Sequence, residues 1–356
     1  MLQKCLKAKA LLRALSFSAL IFSSAAIAAP RTLTVYTYDS FLGKDGLASY
    51  VSAEFEKTCA CKIEWISVGD AGQLVTRLEM DKARKVPSAH VIVGIDQNLW
   101  EKLRSQAQQW DGWNPKNYEK IPAELRVGGK GEGFLPFDYG IYTFLANQKD
   151  LAAQKLTPPK SLKDLTKPEY RKTFVLEDPR TSTPGLAFLH YSWAVVGEKD
   201  APDYWKKLSK NWLALSPSWD QAYGLFSRSE AALVWTYQSS LAYEKEKGRG
   251  NQCLVVKFKE GHPIQVEGAA MLASRLGNDA ESLRLAKQFL EFLLTPTVQK
   301  EVPKRNWMMP VVKGTPLPGS FQGLPPLKIL KSGSLSLYPG PRWEELLSQW
   351  RRAIEQ

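Results

Sequence analysis

Thr32-Leu33-Thr34-Val35-Tyr36-Thr37 is a run of β-branched and aromatic residues that stops at the polar turn Tyr38-Asp39-Ser40, and such a run reads as a strand rather than a helix. The unit then repeats. Leu47, Tyr50, Val51 and Phe55 recur at helical spacing, and Lys62 to Ser67 is a second strand closed by Gly69-Asp70-Ala71-Gly72. Leu74, Val75 and Leu78 open a second helix with Asp70 placed as its N-cap. His90 to Ile95 is a third strand, almost wholly apolar and ending at Asp96, as a strand buried on both faces would be. Strand–helix–strand–helix–strand predicts parallel pairing in a doubly wound α/β lobe. Ligands of such lobes sit beyond the carboxyl ends of the strands, where Tyr38, Asp70 and Asp96 fall.

At 356 residues the chain exceeds what a single core usually serves, so two lobes are expected. Phe134 to Asn147 reads as a long strand crossing between them, and Gly261-His262-Pro263-Ile264-Gln265-Val266 as the return. The expected division is 29–135 plus 265–305 for lobe 1 and 136–264 plus 306–356 for lobe 2, with hinge crossings near 134–147 and 261–268. Leu283 to Leu294 is an amphipathic helix that belongs back on the first lobe. After an irregular Pro/Gly-rich segment from Pro310 to Gly340, Trp343, Leu346, Leu347, Trp350 and Ile354 make a closing helix.

Lys4, Lys7, Lys9 and Arg13 precede an apolar run from Ala14 to Ile27 and the small-x-small pattern Ala26-Ile27-Ala28, which marks residues 1–28 as a secretory signal peptide cleaved after Ala28. No later run approaches the ~20 apolar residues that span a bilayer. The formal charge of +12 falls to +8 once the four leader cations are removed. No Lys/Arg block carries interleaved aromatics, which reads as a solvated basic surface and not a nucleic-acid groove. Cys59, Cys61 and Cys253 remain in an oxidising compartment, an odd count that allows one bridge and one free thiol. A bridge across a single residue is expected to be strained, and the pairing stays open.

Asp178-Pro179-Arg180-Thr181-Ser182-Thr183-Pro184-Gly185 lies between an apolar run, Phe174-Val175-Leu176, and a helical one, Leu186 to Val196. Hydroxyl residues before Pro184 predict a helix start, with proline at the first helical position. Such an end, with Arg180 close by, either receives an anion or ligand hydroxyl or merely caps itself. Gly128-Gly129-Lys130-Gly131-Glu132-Gly133 follows no clear strand and reads as a loop. His90, His190 and His262 are far apart in sequence with no zinc spacing, so no metal and no cofactor is expected. Trp219, Tyr237, Tyr243 and Trp307 sit in turn contexts. Together with Asp70 they point to a cationic or flat heteroaromatic ligand.

Thr34-Val35-Tyr36-Thr37-Tyr38-Asp39-Ser40-Phe41, Phe137-Asp138-Tyr139-Gly140, the Asp178–Gly185 stretch, Ala222-Tyr223-Gly224-Leu225-Phe226 and Asn306-Trp307-Met308 together resemble the periplasmic thiamine-binding proteins of bacterial thiamine ABC importers, over essentially the whole mature chain. The resemblance implies a two-lobed periplasmic-binding-protein fold of type II, each lobe a doubly wound, mostly parallel sheet, with the ligand in the inter-lobe cleft. It implies a monomer in the periplasm that captures thiamine or its phosphates without catalysis and hands them to a membrane permease driven by a cytoplasmic ATPase. Carried over by residue, it places Tyr38, Tyr243 and Trp307 around the thiazolium, and Asp70, Trp219, Tyr237, Gln238, Ser239 and Ser240 on the rest of the ligand. Ser182 and Thr183 would meet the hydroxyethyl or phosphate end. Ala71 stands where the family pattern has Gly and still offers its backbone N–H; Gln238 stands where the pattern has a hydroxyl residue. One rival is a thiamine-degrading enzyme like thiaminase I, which resembles this fold and uses a cysteine nucleophile. Cys59, Cys61 and Cys253 all precede strands, at the wrong ends for that cleft. Another is a ferric-iron binder of the same fold, which needs adjacent tyrosines with acid or His partners.

Overall fold

The computed structural model describes residues 30–129, 131–330 and 340–355. The expected signal peptide, 1–28, and Lys130 lie outside the described residues. β1 (Arg31–Thr37), α1 (Leu47–Cys59), β2 (Cys61–Ser67), α2 (Gln73–Arg84), β3 (Val91–Asp96) and α3 (Gln97–Leu103) alternate in the order the periodicities predict. β1 pairs in parallel with β2 from Arg31↔Cys61 to Thr37↔Ser67, and with β3 through Val35↔Val91 and Tyr36↔Ile92. Every residue of β3 is buried, as its unbroken apolar run requires.

β4 (Leu135–Asn147), α4 (Gln148–Ala153), β5 (Phe174–Glu177), α5 (Thr183–Val196), α6 (Ala201–Leu208), β6 (Trp212–Ser216), α7 (Trp219–Ser227), β7 (Leu233–Tyr237), α8 (Ser240–Glu246) and β8 (Cys253–Val255) follow, before β9 (Ile264–Met271) runs back beside β3. α9 (Ala273–Leu276), α10 (Ala280–Leu293), α11 (Pro296–Gln299), α12 (Val302–Arg305), β10 (Met309–Pro310) and α13 (Gly340–Ile354) complete the order. One mixed sheet results, β2-β1-β3-β9-β4-β7-β5-β6. β4 is the pivot of that sheet. Leu135 to Ile141 pair with β9, whereas Tyr142 to Ala146 pair with β7 and Leu145 to Asn147 with β8. In the second half, β5 is parallel to both β6 and β7.

Burial follows the amphipathic patterns. Phe289 and Phe292, on α10, lie 5.4 and 5.3 Å from the ring of Phe55 on α1. α13 sets Trp350 edge-on to Trp205 of α6 at 6.1 Å, and its Glu344 pairs with Lys102 of α3 at 2.6 Å. α1 ends at Cys59, Ala60 turns the backbone left-handed at φ 50, and β2 starts at Cys61. That reversal brings the two Cα atoms to 5.1 Å, inside the usual range for a disulfide, and Cys59 and Cys61 are bridged. The one-residue spacing expected to resist a bridge is accommodated by Ala60. Cys253 is the free, buried thiol.

Two local expectations are corrected. Asp70 does not cap α2, whose cap position is Gly72 with no side-chain bond; its carboxylate accepts the amide of a residue far along the chain, described below. The 178–185 stretch does open α5, with Ser182 at the cap position and Pro184 one residue later than predicted. The Ser182 hydroxyl makes no capping bond and is buried without a hydrogen-bond partner among the described residues.

Candidate functional site

Tyr38, Asp70, Thr183, Trp219 and Ser240 each follow the carboxyl end of a strand, β1, β2, β5, β6 and β7 in turn, and all five line one cavity of about 500 Å³. Ala71, Tyr237, Tyr243 and Trp307 line it as well. Three sequence-predicted residues do not. Ser182 and Ser239 are buried behind the wall with hydroxyls that lack a partner among the described residues. Gln238 donates its Nε2 to the Pro325 carbonyl at 2.5 Å, on the side of the 310–330 segment. Asp96, also at a strand end, is fully buried and caps α3 by accepting the Asn98 and Leu99 amides at 3.0 and 2.8 Å.

The wall is aromatic and held by polar contacts. Trp219 stacks on Tyr223 at 4.9 Å, and its indole N–H donates to Thr236 Oγ1 at 2.9 Å. Tyr243 meets Tyr223 edge-on at 5.8 Å and Trp307 edge-on at 5.0 Å. Trp307 has a left-handed backbone, φ 55, uncommon for a bulky side chain and held only where the surroundings fix it. Tyr38 lies on β3 at Gly94, whose φ is +100 and where an added Cβ would sit 2.3 Å from the tyrosine ring. Only glycine admits that approach.

The floor is acidic. Tyr38 donates its hydroxyl to Glu267 Oε1 at 2.7 Å, Gln265 donates to Glu267 Oε2 at 3.2 Å, and Asn306 donates to Asp138 Oδ2 at 2.6 Å. Asp138 and Glu267 are register partners across β4 and β9 and both are buried. Burial above all pushes both carboxyls up; the charge of Glu267 adds to this at Asp138, and the Tyr38 hydrogen bond opposes it at Glu267. Asp70 accepts the amide of Trp219, the first residue of α7, at 3.0 Å. Enclosure in the wall pushes its carboxyl up to about 6, while the Trp219, Ala71 and Gly72 amides pull it down. That contact joins the β2–α2 turn of the first half to the second, and beside it an added Cβ on Gly72 would lie 2.3 Å from the Thr181 carbonyl. Asp39, Asp45 and Asp220 also line the cavity, against two cations, Lys247 and Arg305.

Glu267, Asp138, Gln265 and Asn306 are not among the expected site residues, although Asp138 and Asn306 stand in stretches that carry the resemblance. A signal existed: Asp138 and Glu267 are carboxylates inside otherwise apolar strand runs, and a buried acid in a strand asks for a partner. Arg180 is not offered to an anion here. Its Nε donates to Asp178 Oδ1 at 2.9 Å, and its guanidinium lies 5.5 Å from the centre of the Trp350 ring. Cys253 does not line the cavity, and burial pushes its thiol up to about 12, where it stays protonated.

Residues 87–324 match the bacterial extracellular solute-binding proteins. The chain belongs to that family. It is a solute-binding protein and not an enzyme. It is 35% identical over 318 residues to the thiamine-binding periplasmic protein of Brucella melitensis biotype 1, covering 88% of this chain and 90% of the relative. It is 34% identical over 342 residues to the thiamine-binding periplasmic protein of Escherichia coli K12, covering 95% and 98%. A solved periplasmic thiamin-binding protein superimposes with a TM-score of 0.80 at 32% identity, over 92% of this chain and 97% of that one. The solute-binding protein therefore has the two-lobed type II fold, with strand ends converging on the cavity between the halves.

Proposed function

We propose that this protein captures thiamine in the periplasm and delivers it to an ABC importer, without chemistry on the ligand. The observation that carries the reading is the combination, in one cavity, of an aromatic wall (Trp219, Tyr223, Tyr243, Trp307) with an acidic floor (Asp70, Glu267). Thiamine is a permanent cation with two flat rings. A desolvated cation on an aromatic face gains from the ring quadrupole and again from nearby carboxylates. Relatives named for thiamine binding, similar along nearly their whole length, support the same ligand. Tyr38, Tyr243 and Trp307 hold the thiazolium; Asp70, Ala71, Trp219, Tyr237 and Ser240 contact the rest; Thr183 meets the hydroxyethyl end, or a phosphate on it. Gln238, Ser182 and Ser239 act from behind the wall. The two lobes, 29–135 with 265–305 and 136–264 with 306–356, close about the β4 and β9 crossings. The protein works as a monomer, and a membrane permease with its ATPase receives the ligand.

Thiamine titration followed by calorimetry over a range of pH tests this. The cavity carboxyls are neutral when protonated, and the ligand cation favours their charged form. As pH rises through Asp70's value of about 6 the site gains negative charge, and Glu267, also pushed up, adds to it. Affinity is expected to rise several-fold from about pH 5.5 to about pH 8, in proportion to the ionised fraction. A flat profile, or tighter binding at the acid end, would count against an acidic floor that recognises a cation.

A further inference from the structure

The cavity is walled by five carboxylates and only two cations, and the two cations are not equivalent. Arg305 is engaged: its Nε lies 3.2 Å from Glu301 Oε2 and its guanidinium centre lies 5.1 Å from the centre of the Tyr50 ring. Lys247, at the C-terminal end of α8, has no carboxylate partner among the described residues. Its Nζ lies 5.4 Å from the centre of the Tyr243 ring. The acid one turn back, Glu244, is already taken by Arg249 at 2.6 Å and by the Tyr223 hydroxyl at 2.7 Å.

We propose that Lys247 is a specificity-determining residue that favours the phosphorylated form of the ligand, by pairing with an anionic tail while the cationic ring rests on Tyr243. This rests on the thiamine reading above. An organic cation seated against Tyr243 competes with the ammonium for that ring and repels it. Plain thiamine, whose tail is a neutral hydroxyl, meets only that penalty. A phosphate a few bonds from the ring turns the same ammonium into an attractive partner through charge-assisted hydrogen bonds. The N-terminus of α5 reaches the cavity through Thr183 but brings no free side-chain cation to an anionic tail. Arg180 is paired with Asp178, Ser182 is buried and does not line the cavity, and Glu177 lies fully buried just before the stretch.

The test is the ratio of dissociation constants, thiamine over thiamine monophosphate, measured by calorimetry for the unmodified protein, Lys247→Gln and Lys247→Arg, with inorganic phosphate as a separate probe. Lys247→Gln is expected to weaken the monophosphate about tenfold and to leave thiamine equal or slightly tighter, whereas Lys247→Arg keeps the original ratio. The preference should shrink as salt is raised, because Lys247 is an exposed residue and its charge is screened. Inorganic phosphate alone should not saturate the site. An unchanged ratio in Lys247→Gln overturns the proposal. Tight binding of inorganic phosphate that disappears in Lys247→Gln overturns it too, since the anion would then be recognised without the ring. Failure of the unmodified protein to bind either thiamine compound is a different result, and refutes the underlying ligand reading.

Discussion

Trp307→Ala is expected to weaken thiamine binding roughly thirtyfold, the equivalent of about 2 kcal/mol for a desolvated cation–π contact. Trp307 and Tyr243 meet edge-on at 5.0 Å, so removing the indole also unpins Tyr243. The backbone supplies a control. Trp307 sits at φ 55, a conformation that costs any residue with a Cβ and costs glycine nothing. Trp307→Gly should therefore melt higher than Trp307→Ala, by about 1 kcal/mol of stability, while binding thiamine no better. Equal affinity in the unmodified protein and both variants, with the fold intact by circular dichroism, would remove Trp307 from the ligand site.

The second large effect is expected at Asp70. Its carboxylate accepts the Trp219 amide at 3.0 Å across the two halves of the molecule and is one of the charges facing the cavity. Hydrogen bonds to a charged group contribute about 1.5–3 kcal/mol, so Asp70→Ala should cost thiamine affinity by roughly ten- to a hundredfold. Asp70→Asn separates the two roles. The amide keeps an oxygen for the Trp219 N–H but carries no charge. It should restore part of the affinity and abolish the pH dependence centred near Asp70's own value. If Asp70→Asn binds as weakly as Asp70→Ala, charge alone matters; if both bind like the unmodified protein, Asp70 serves the fold and not the ligand.

The alternation β1–α1–β2–α2–β3 was legible because strand and helix periods differ and His90 to Ile95 is apolar at nearly every step. The rule that sites lie beyond strand ends places Tyr38 and Asp70 correctly but also points to Asp96, which is buried and caps α3 instead; Trp219 comes from its turn context and the resemblance, because the strand before it carries no clear period. What local reading misjudged depends on distant partners. Asp70, read as a cap for the helix it precedes, finds the amide of a residue on another strand-helix unit, and no pattern within Gly69–Gly72 announces that choice. α5 starts one residue earlier than proline at the first helical position implies, so Ser182 takes the cap position, and its hydroxyl is buried there without a capping bond. The spacing of Cys59 and Cys61 does not reveal their bridge, because it depends on Ala60 adopting a left-handed conformation. The acidic floor depends on register: only when β4 and β9 pair antiparallel do Asp138 and Glu267 meet, with Tyr38 and Asn306 above them.

The central claim is that the aromatic, acidic cavity is a thiamine site, and the most direct measurement is a calorimetric titration of ligand-free protein, unfolded, dialysed and refolded, with thiamine at neutral pH. The account predicts saturable binding at one thiamine per chain, competed by thiamine monophosphate and lost in Trp307→Ala with Asp70→Ala. Absence of saturable binding by a refolded protein with native circular dichroism, or saturation that survives that double change, would contradict it.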